Sequence, residues 1–163
     1  MARLDPRRVL DIGPGYGRYG FLFRERVDDF RWERVLHGVD VFPAYMERSR
    51  MSALYDRLFE GDFLEVEIDE AYDLVLMIDV LEHFSEEDGE RALEKAIALA
   101  PCVLVATPLG YVQGEMYGNP YEEHRSEWPS ERLDEFAAGR GVTWERDRGG
   151  RADCVIGLLT RGG

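Results

Sequence analysis

With 163 residues, 45% of them hydrophobic, the chain is sized for one core and composed like a globular protein. Its net charge of −13, from 33 acids against 20 bases, repels phosphate backbones and anionic lipid, which argues against nonspecific nucleic-acid or membrane-surface binding. It holds no run of about 18 apolar residues to span a membrane. Met1-Ala2-Arg3-Leu4-Asp5-Pro6 carries no apolar signal-peptide core, so a cytoplasmic protein is expected.

The two cysteines, Cys102 and Cys154, sit far apart in apolar runs and read as buried small hydrophobes rather than ligands or a disulfide. Lys95 is the single lysine; a dense acidic surface poor in lysine fits a protein adapted to high salt.

In chain order, residues 8 to 12 predict a buried strand that runs into the glycine-rich turn Gly13-Pro14-Gly15-Tyr16-Gly17. A helix over about 17 to 29 follows, with Phe23, Val27 and Phe30 on one face. Val35 to Val41 is a second strand closing on Asp40, and Pro43 starts a second helix that reaches about Tyr55 on a thin apolar stripe. Arg57-Leu58-Phe59-Glu60 is a short third strand before Gly61-Asp62-Phe63. Tyr72 to Val80 is almost continuously apolar, as a central parallel strand should be.

Ser85, with Asp88 three residues on, caps a helix whose inner face is Leu93, Ala96, Ile97 and Ala100; Pro101 stops it. Cys102 to Ala106 is the fifth strand. Residues 108 to 129 have no periodicity, and so long a loop in a compact domain is usually functional. Ser130 opens a helix with Leu133, Phe136 and Ala137 inward, ended by Gly139 or Gly141. Val142 to Glu145 and Asp153 to Thr160, separated by Gly149-Gly150, read as a terminal antiparallel hairpin. Trp32 and Trp144 are expected in the core or at its rim.

Strands alternating with helices require parallel pairing and crossover connections, giving a doubly wound sheet with helices on both faces. Ligands bind beyond the carboxyl ends of such strands. Here those ends carry Asp11 to Gly17, Asp40, Asp62 and Asp79.

Two glycine patterns overlap, Gly13-x-Gly15-x-Gly17 and Gly15-x-Gly17-x-x-Gly20; the second matches the dinucleotide fingerprint. Asp40 is placed to accept both hydroxyls of a ribose, which suits NAD and any adenosine-containing ligand equally. Asp11 is poorly placed against a pyrophosphate and better placed to hold the turn's amides or a cationic ligand. Asp79-Val80-Leu81-Glu82-His83-Phe84 directly follows the fourth strand.

Together Val9 to Gly17, Val39-Asp40, Gly61-Asp62-Phe63 and Asp73 to Phe84 resemble the class I S-adenosylmethionine-dependent methyltransferases, over roughly residues 8 to 110. The resemblance implies a mostly parallel seven-stranded sheet with an antiparallel last strand, and a single methyltransferase domain over 1–163. The backbone of Gly13, Pro14, Gly15 and Gly17 would pass beside the methionine moiety. Asp40, followed by Val41, would hold the ribose, and Asp62 with Phe63 the adenine. Ile78 and Asp79 would floor the methyl end with His83 close by. Carboxylates at that end, Asp11 and Asp79, suit a sulfonium cation. The family's methyl transfer is an in-line displacement, so the protein mainly aligns reactants and excludes water. No fixed catalytic residue is implied.

Members often carry N-terminal helices over the cofactor, whereas the first strand here starts about eight residues in. Either the 108–129 loop or a partner chain would then cover the site, or the chain is a non-catalytic cofactor-binding module. Within that loop Tyr111, Met116, Tyr117, Tyr121, His124 and Trp128 read as a lid, with Tyr117, His124 and Trp128 expected nearest the methyl donor and His124 as a possible base. Glu86, Glu87 and Asp88 read as a helix start, and no group has convincing metal-ligand spacing, so no metal is expected. The expected activity is methyl transfer from S-adenosylmethionine, leaving S-adenosylhomocysteine, to an oxygen or nitrogen of a small molecule. The alternative is an NAD- or nucleotide-binding domain. A monomer or homodimer is expected, with no nucleic-acid or membrane partner.

Overall fold

The computed structural model describes residues 4–147 and 152–162; Gly149-Gly150 lies outside them. Seven strands form one sheet: β1 (Arg8–Ile12), β2 (Val35–Asp40), β3 (Arg57–Glu60), β4 (Leu74–Ile78), β5 (Cys102–Pro108), β6 (Val142–Arg146) and β7 (Cys154–Arg161). Their spatial order is β3-β2-β1-β4-β5-β7-β6. Pairing is parallel from β3 through β5, and β7 runs antiparallel to both β5 and β6. The expected doubly wound sheet and terminal hairpin are therefore present. Sequence order reverses at β1–β4, the switch point where doubly wound sheets open a ligand crevice.

Among the described residues four α-helices connect or flank the strands: α1 (Arg18–Arg26), α2 (Ala44–Ser49), α3 (Glu86–Leu99) and α4 (Ser130–Ala137). No helix among the described residues is long and apolar enough to cross a membrane. The sheet's two faces bury separate cores. Leu10, Val75, Val103, Leu93, Leu133, Phe136 and Trp128 share one, on the side of α3 and α4. Val9, Phe23, Leu36, Met46, Tyr55 and Leu76 share the other. This is why the central strands read as unbroken apolar runs: both faces are covered.

Two expectations need correction. Helix α1 ends at Arg26, and Phe30 is 45% exposed rather than on its inner face. Asp29 and Phe30 both take positive φ and turn the chain away from the helix. The buried position goes instead to Arg24, whose guanidinium is paired with Asp28 and Asp56 at 2.9 Å each and lies 4.4 Å from the Trp32 ring centroid. The second predicted helix breaks at Arg50, which adopts φ 57°, and continues only as a 3-10 turn over Met51–Leu54.

Asp11 also departs from expectation. Its carboxyl is 1% exposed and accepts the Tyr55 hydroxyl at 2.7 Å. Tyr55 in turn packs on Gly20, where an added Cβ would collide with the phenolic oxygen. Asp11 thus anchors α1 and the 3-10 turn to β1 through Tyr55, and its carboxyl is buried. Burial is the main cause raising its pKa from the ordinary 3.8 to about 7. An unfolded chain gives up this proton near the ordinary value, while the folded chain keeps it to about pH 7. Stability from this group is therefore full below the lower value and is lost as pH rises through the upper one. Asp11→Asn should remove that slope. Urea unfolding at about pH 5 and about pH 8 should show the wild type losing more stability over the interval than the variant; equal losses would contradict this account.

Candidate functional site

The carboxyl ends of β1, β2 and β4 open into a cleft of about 530 Å³, a size typical of ligand pockets. Its first wall is the glycine turn. Gly13, Gly15 and Gly17 all have positive φ, for different reasons. A Cβ on Gly13 would meet the Val80 side chain at 2.7 Å, and one on Gly17 would meet Met51 at 2.6 Å. On Gly15 the nearest such contact is 4.0 Å away. Gly13 and Gly17 thus permit protein to pack on protein, whereas Gly15 leaves its backbone bare toward the cleft.

Asp40 fixes that turn. Its Oδ2 accepts the Gly15 amide at 3.0 Å and its Oδ1 accepts the Phe42 amide at 2.7 Å. Burial raises its pKa, and these two amides oppose the rise. Asp40, rather than Asp11, is therefore the carboxylate that holds the turn.

Across the cleft, the loop after β3 supplies Asp62 and Phe63. Asp62 Oδ1 accepts the Leu64 amide at 2.8 Å, forming a local turn that leaves the second oxygen available. Lys95 reaches over from α3 and donates to the carbonyls of Phe63, Leu64 and Val66 at 2.5, 3.3 and 2.7 Å. The single lysine of the chain therefore clamps this wall.

Ile78 and Asp79 form the floor. Asp79 adopts φ 55°, a strained conformation for a residue with a side chain, and its carboxylate accepts the Tyr19 hydroxyl at 3.3 Å. A 3-10 turn, Leu81–His83, follows. Within it Glu82 is buried, accepts the Thr107 hydroxyl at 3.0 Å and has its pKa raised to about 7, chiefly by burial. His83 lines the cleft; burial pushes its imidazole pKa down, against the Glu123 carbonyl that it contacts at 3.2 Å.

The loop after β5 runs along the cleft between Gln113 and Arg125. Gln113, Met116, Tyr117, Asn119, Tyr121, Glu122 and Arg125 all line it. Tyr16 stacks on Tyr45 with centroids 4.4 Å apart, and Tyr117 meets Tyr16 edge-on at 6.5 Å.

Of the residues expected at a cofactor site, Gly13, Pro14, Gly15, Asp40, Val41, Asp62, Phe63, Ile78, Asp79 and His83 line this cleft. Asp11 and Gly17 lie behind it. Tyr117 is at the mouth, while His124 sits one layer back, its ring 5.0 Å from that of His83. Trp128 is corrected outright. It is 0% exposed and belongs to the core, with Gly89 of α3 beneath its ring and Arg132 4.1 Å above it. Its indole donates to Ser126 Oγ at 2.7 Å. Tyr16, Tyr19, Tyr45 and Asn119 were not expected in the wall. Tyr16 had a signal, since it stands inside the glycine turn; the others reach the cleft only through packing.

A methyltransferase-domain family model matches residues 9–100, more than half of the chain. The chain belongs to this methyltransferase-domain family. No match is found among curated proteins. Solved structures agree in fold. DhpI, in complex with S-adenosylhomocysteine, superposes with a TM-score of 0.75 at 13% identity, covering 95% of this chain and 76% of that one. A Burkholderia thailandensis 1,6-didemethyltoxoflavin-N1-methyltransferase gives 0.73 at 19%, covering 99% and 76%. An O-methyltransferase family protein from the same organism gives 0.70 at 14%, covering 97% of this chain but 52% of that one. This methyltransferase domain therefore spans about half the length of that neighbour.

Lys95→Met should loosen the wall of the methyltransferase cleft without touching its lining. Losing charge-assisted bonds to three carbonyls should cost about 1.5–3 kcal/mol. Amide exchange should accelerate at 63–66 and stay unchanged in β4; unchanged exchange at 63–66 would refute the clamp. Trp128→Ala should cost about 3–5 kcal/mol in unfolding free energy, as a core truncation does.

Proposed function

We propose that this domain transfers the methyl group of S-adenosylmethionine to an oxygen or nitrogen of a small molecule, and that it acts as a single unit over 1–163. The observation that carries this reading is the charge of the cleft. Asp40, Asp62, Asp79, Asp88 and Glu122 line it against Arg18 and Arg125. A ligand with a sulfonium and an ammonium group is attracted to such a wall, and a dinucleotide pyrophosphate is repelled. That disfavours the NAD alternative despite the Gly15-x-Gly17-x-x-Gly20 pattern.

The bare backbone at Gly13 and Gly15 suits the methionine portion. Asp40 keeps lone pairs beyond those used by Gly15 and Phe42, and these suit ribose hydroxyls. Asp62 with Phe63 suits the adenine. S-Adenosylmethionine supplies a methyl group already activated on sulfur. This chain's residues have the remaining tasks: to align a nucleophile over the floor at Ile78 and Asp79, and to exclude water. Tyr16, Tyr45 and Tyr117 close the mouth, joined by a Tyr45 hydroxyl bond to the Met116 carbonyl at 3.4 Å. This supports the lid reading for the loop after β5. Tyr117 and His83 form the acceptor side, with His124 behind.

Calorimetry with S-adenosylmethionine, S-adenosylhomocysteine and NAD tests the proposal. The first two should bind and NAD should not; the reverse pattern would sink it. Asp40→Ala removes charge-assisted bonds and should weaken S-adenosylhomocysteine binding by about 2–3 kcal/mol, roughly 30- to 150-fold. Tyr117→Ala should lower methyl transfer on the true acceptor while leaving S-adenosylhomocysteine affinity within about threefold.

A further inference from the structure

Glu82 and His124 have no task in the reading above, yet the fold brings them together with His83. Glu82 and His83 come from the 3-10 turn after β4. His124 arrives from the loop after β5, and the next two amides, of Arg125 and Ser126, donate to the Glu82 carbonyl at 2.8 and 3.2 Å. One ligating atom from each of the three side chains lies within 4.8 Å of the other two.

The protonation pattern of this cluster is fixed by its surroundings. His83 Nδ1 lies 3.2 Å from the Glu123 carbonyl, and His124 Nδ1 lies 2.9 Å from the Tyr111 carbonyl. A carbonyl only accepts, so each ring carries its proton on Nδ1 and its lone pair on Nε2. An imidazole pinned through Nδ1–H to a backbone carbonyl, with Nε2 bare, is the arrangement that metal-bound histidines adopt. Glu82 is likewise oriented through its Oε2 by the Thr107 hydroxyl at 3.0 Å. Asp79 and Glu122 add negative potential to the cluster, acting on both Glu82 and His83. One ligand atom from each of two rings and a carboxyl group thus lies close to the other two, with acids around them.

We propose that Glu82, His83 and His124 form a binding site for a divalent transition-metal ion beside the methyl end of the cleft. Two imidazoles and one carboxylate suit Zn²⁺, Mn²⁺ or Fe²⁺ better than Ca²⁺. Bonds of about 2.0–2.2 Å require the ligand atoms to draw in by roughly 1 Å, within reach of side-chain rotation. Of the three, His83 lines the cleft, so an ion held here would approach the acceptor from the His83 side. The acceptor class is then a compound with a hydroxyl or enol oxygen. This last step rests on the methyl-transfer reading; the ion site does not. The ion would bind the acceptor oxygen and ease loss of its proton to water. That oxygen would form the bond to the methyl carbon as the carbon–sulfur pair returns to sulfur.

The test uses the full chain, freed of metal by a chelator and then titrated with Zn²⁺ and Mn²⁺ by calorimetry. One equivalent of at least one ion should bind. His124→Ala, His83→Ala and Glu82→Gln should each weaken it about tenfold or more. His124→Asn, with folding checked by circular dichroism, guards against a collapsed loop. Absence of stoichiometric binding, or binding that survives the double replacement of His83 and His124 by Ala in a folded chain, overturns the site. S-Adenosylhomocysteine affinity of the wild type is measured in parallel. Affinity without metal binding overturns this inference alone, and metal binding without affinity overturns the methyl-transfer reading alone. Transfer to hydroxyl acceptors unaffected by chelator would overturn the ion's role at the acceptor.

Discussion

The Asp40 carboxylate ties the carboxyl ends of two strands to one another. By accepting the Gly15 amide from the turn after β1 and the Phe42 amide after β2, it fixes the backbone of both segments relative to each other. The positive φ at Gly13, Gly15 and Gly17 makes this geometry accessible, and the parallel pairing of β1 with β2 brings the two ends level. Every other wall of the cleft is arranged around this tie.

The remaining walls depend on polar groups used as braces rather than as reagents. Lys95 collects three carbonyls and so shapes the side that carries Asp62 and Phe63. Asp11 and Tyr55 fasten α1 and the following 3-10 turn to the sheet. Arg24, with Asp28 and Asp56, fixes the return from α1 to β2. Asp11, Tyr55, Arg24 and Asp28 are buried and Lys95 is half-buried, each with partners met, which is what burial of charge demands. Among the described residues no buried side-chain polar atom is left without a partner.

Sites on rigid strands and sites on loops also divide the chemistry. Gly13, Asp40 and Asp79 stand at strand ends, where position is set by the sheet. The side of the cleft that carries Tyr117 comes from the loop after β5, attached through backbone bonds to Glu82 and through the tyrosines at the mouth. A cleft built this way has one side fixed by the sheet and one carried on a loop.

The order of strands and helices, the glycine turn and the acids at the ends of β2 and β4 were legible in the sequence, because each is written in short-range signals. Unbroken apolar runs mark strands buried on both faces. Ser85 accepts the Asp88 amide at 3.1 Å, as its spacing foretold, and Pro101 stops α3. What packing over tens of residues decided was not legible. Asp11 and Asp40 look alike beside a glycine turn, and only the arrival of the Tyr55 hydroxyl turned one into a brace. Trp128 and Tyr117 share one aromatic loop; a gap over Gly89 took the first into the core and left the second at the mouth. Glu82, His83 and His124 meet because two amides of the loop after β5 bond back to the turn after β4. Spacing along a chain does not encode such a contact: it depends on where a loop without periodicity satisfies its backbone, which the assembled sheet alone decides.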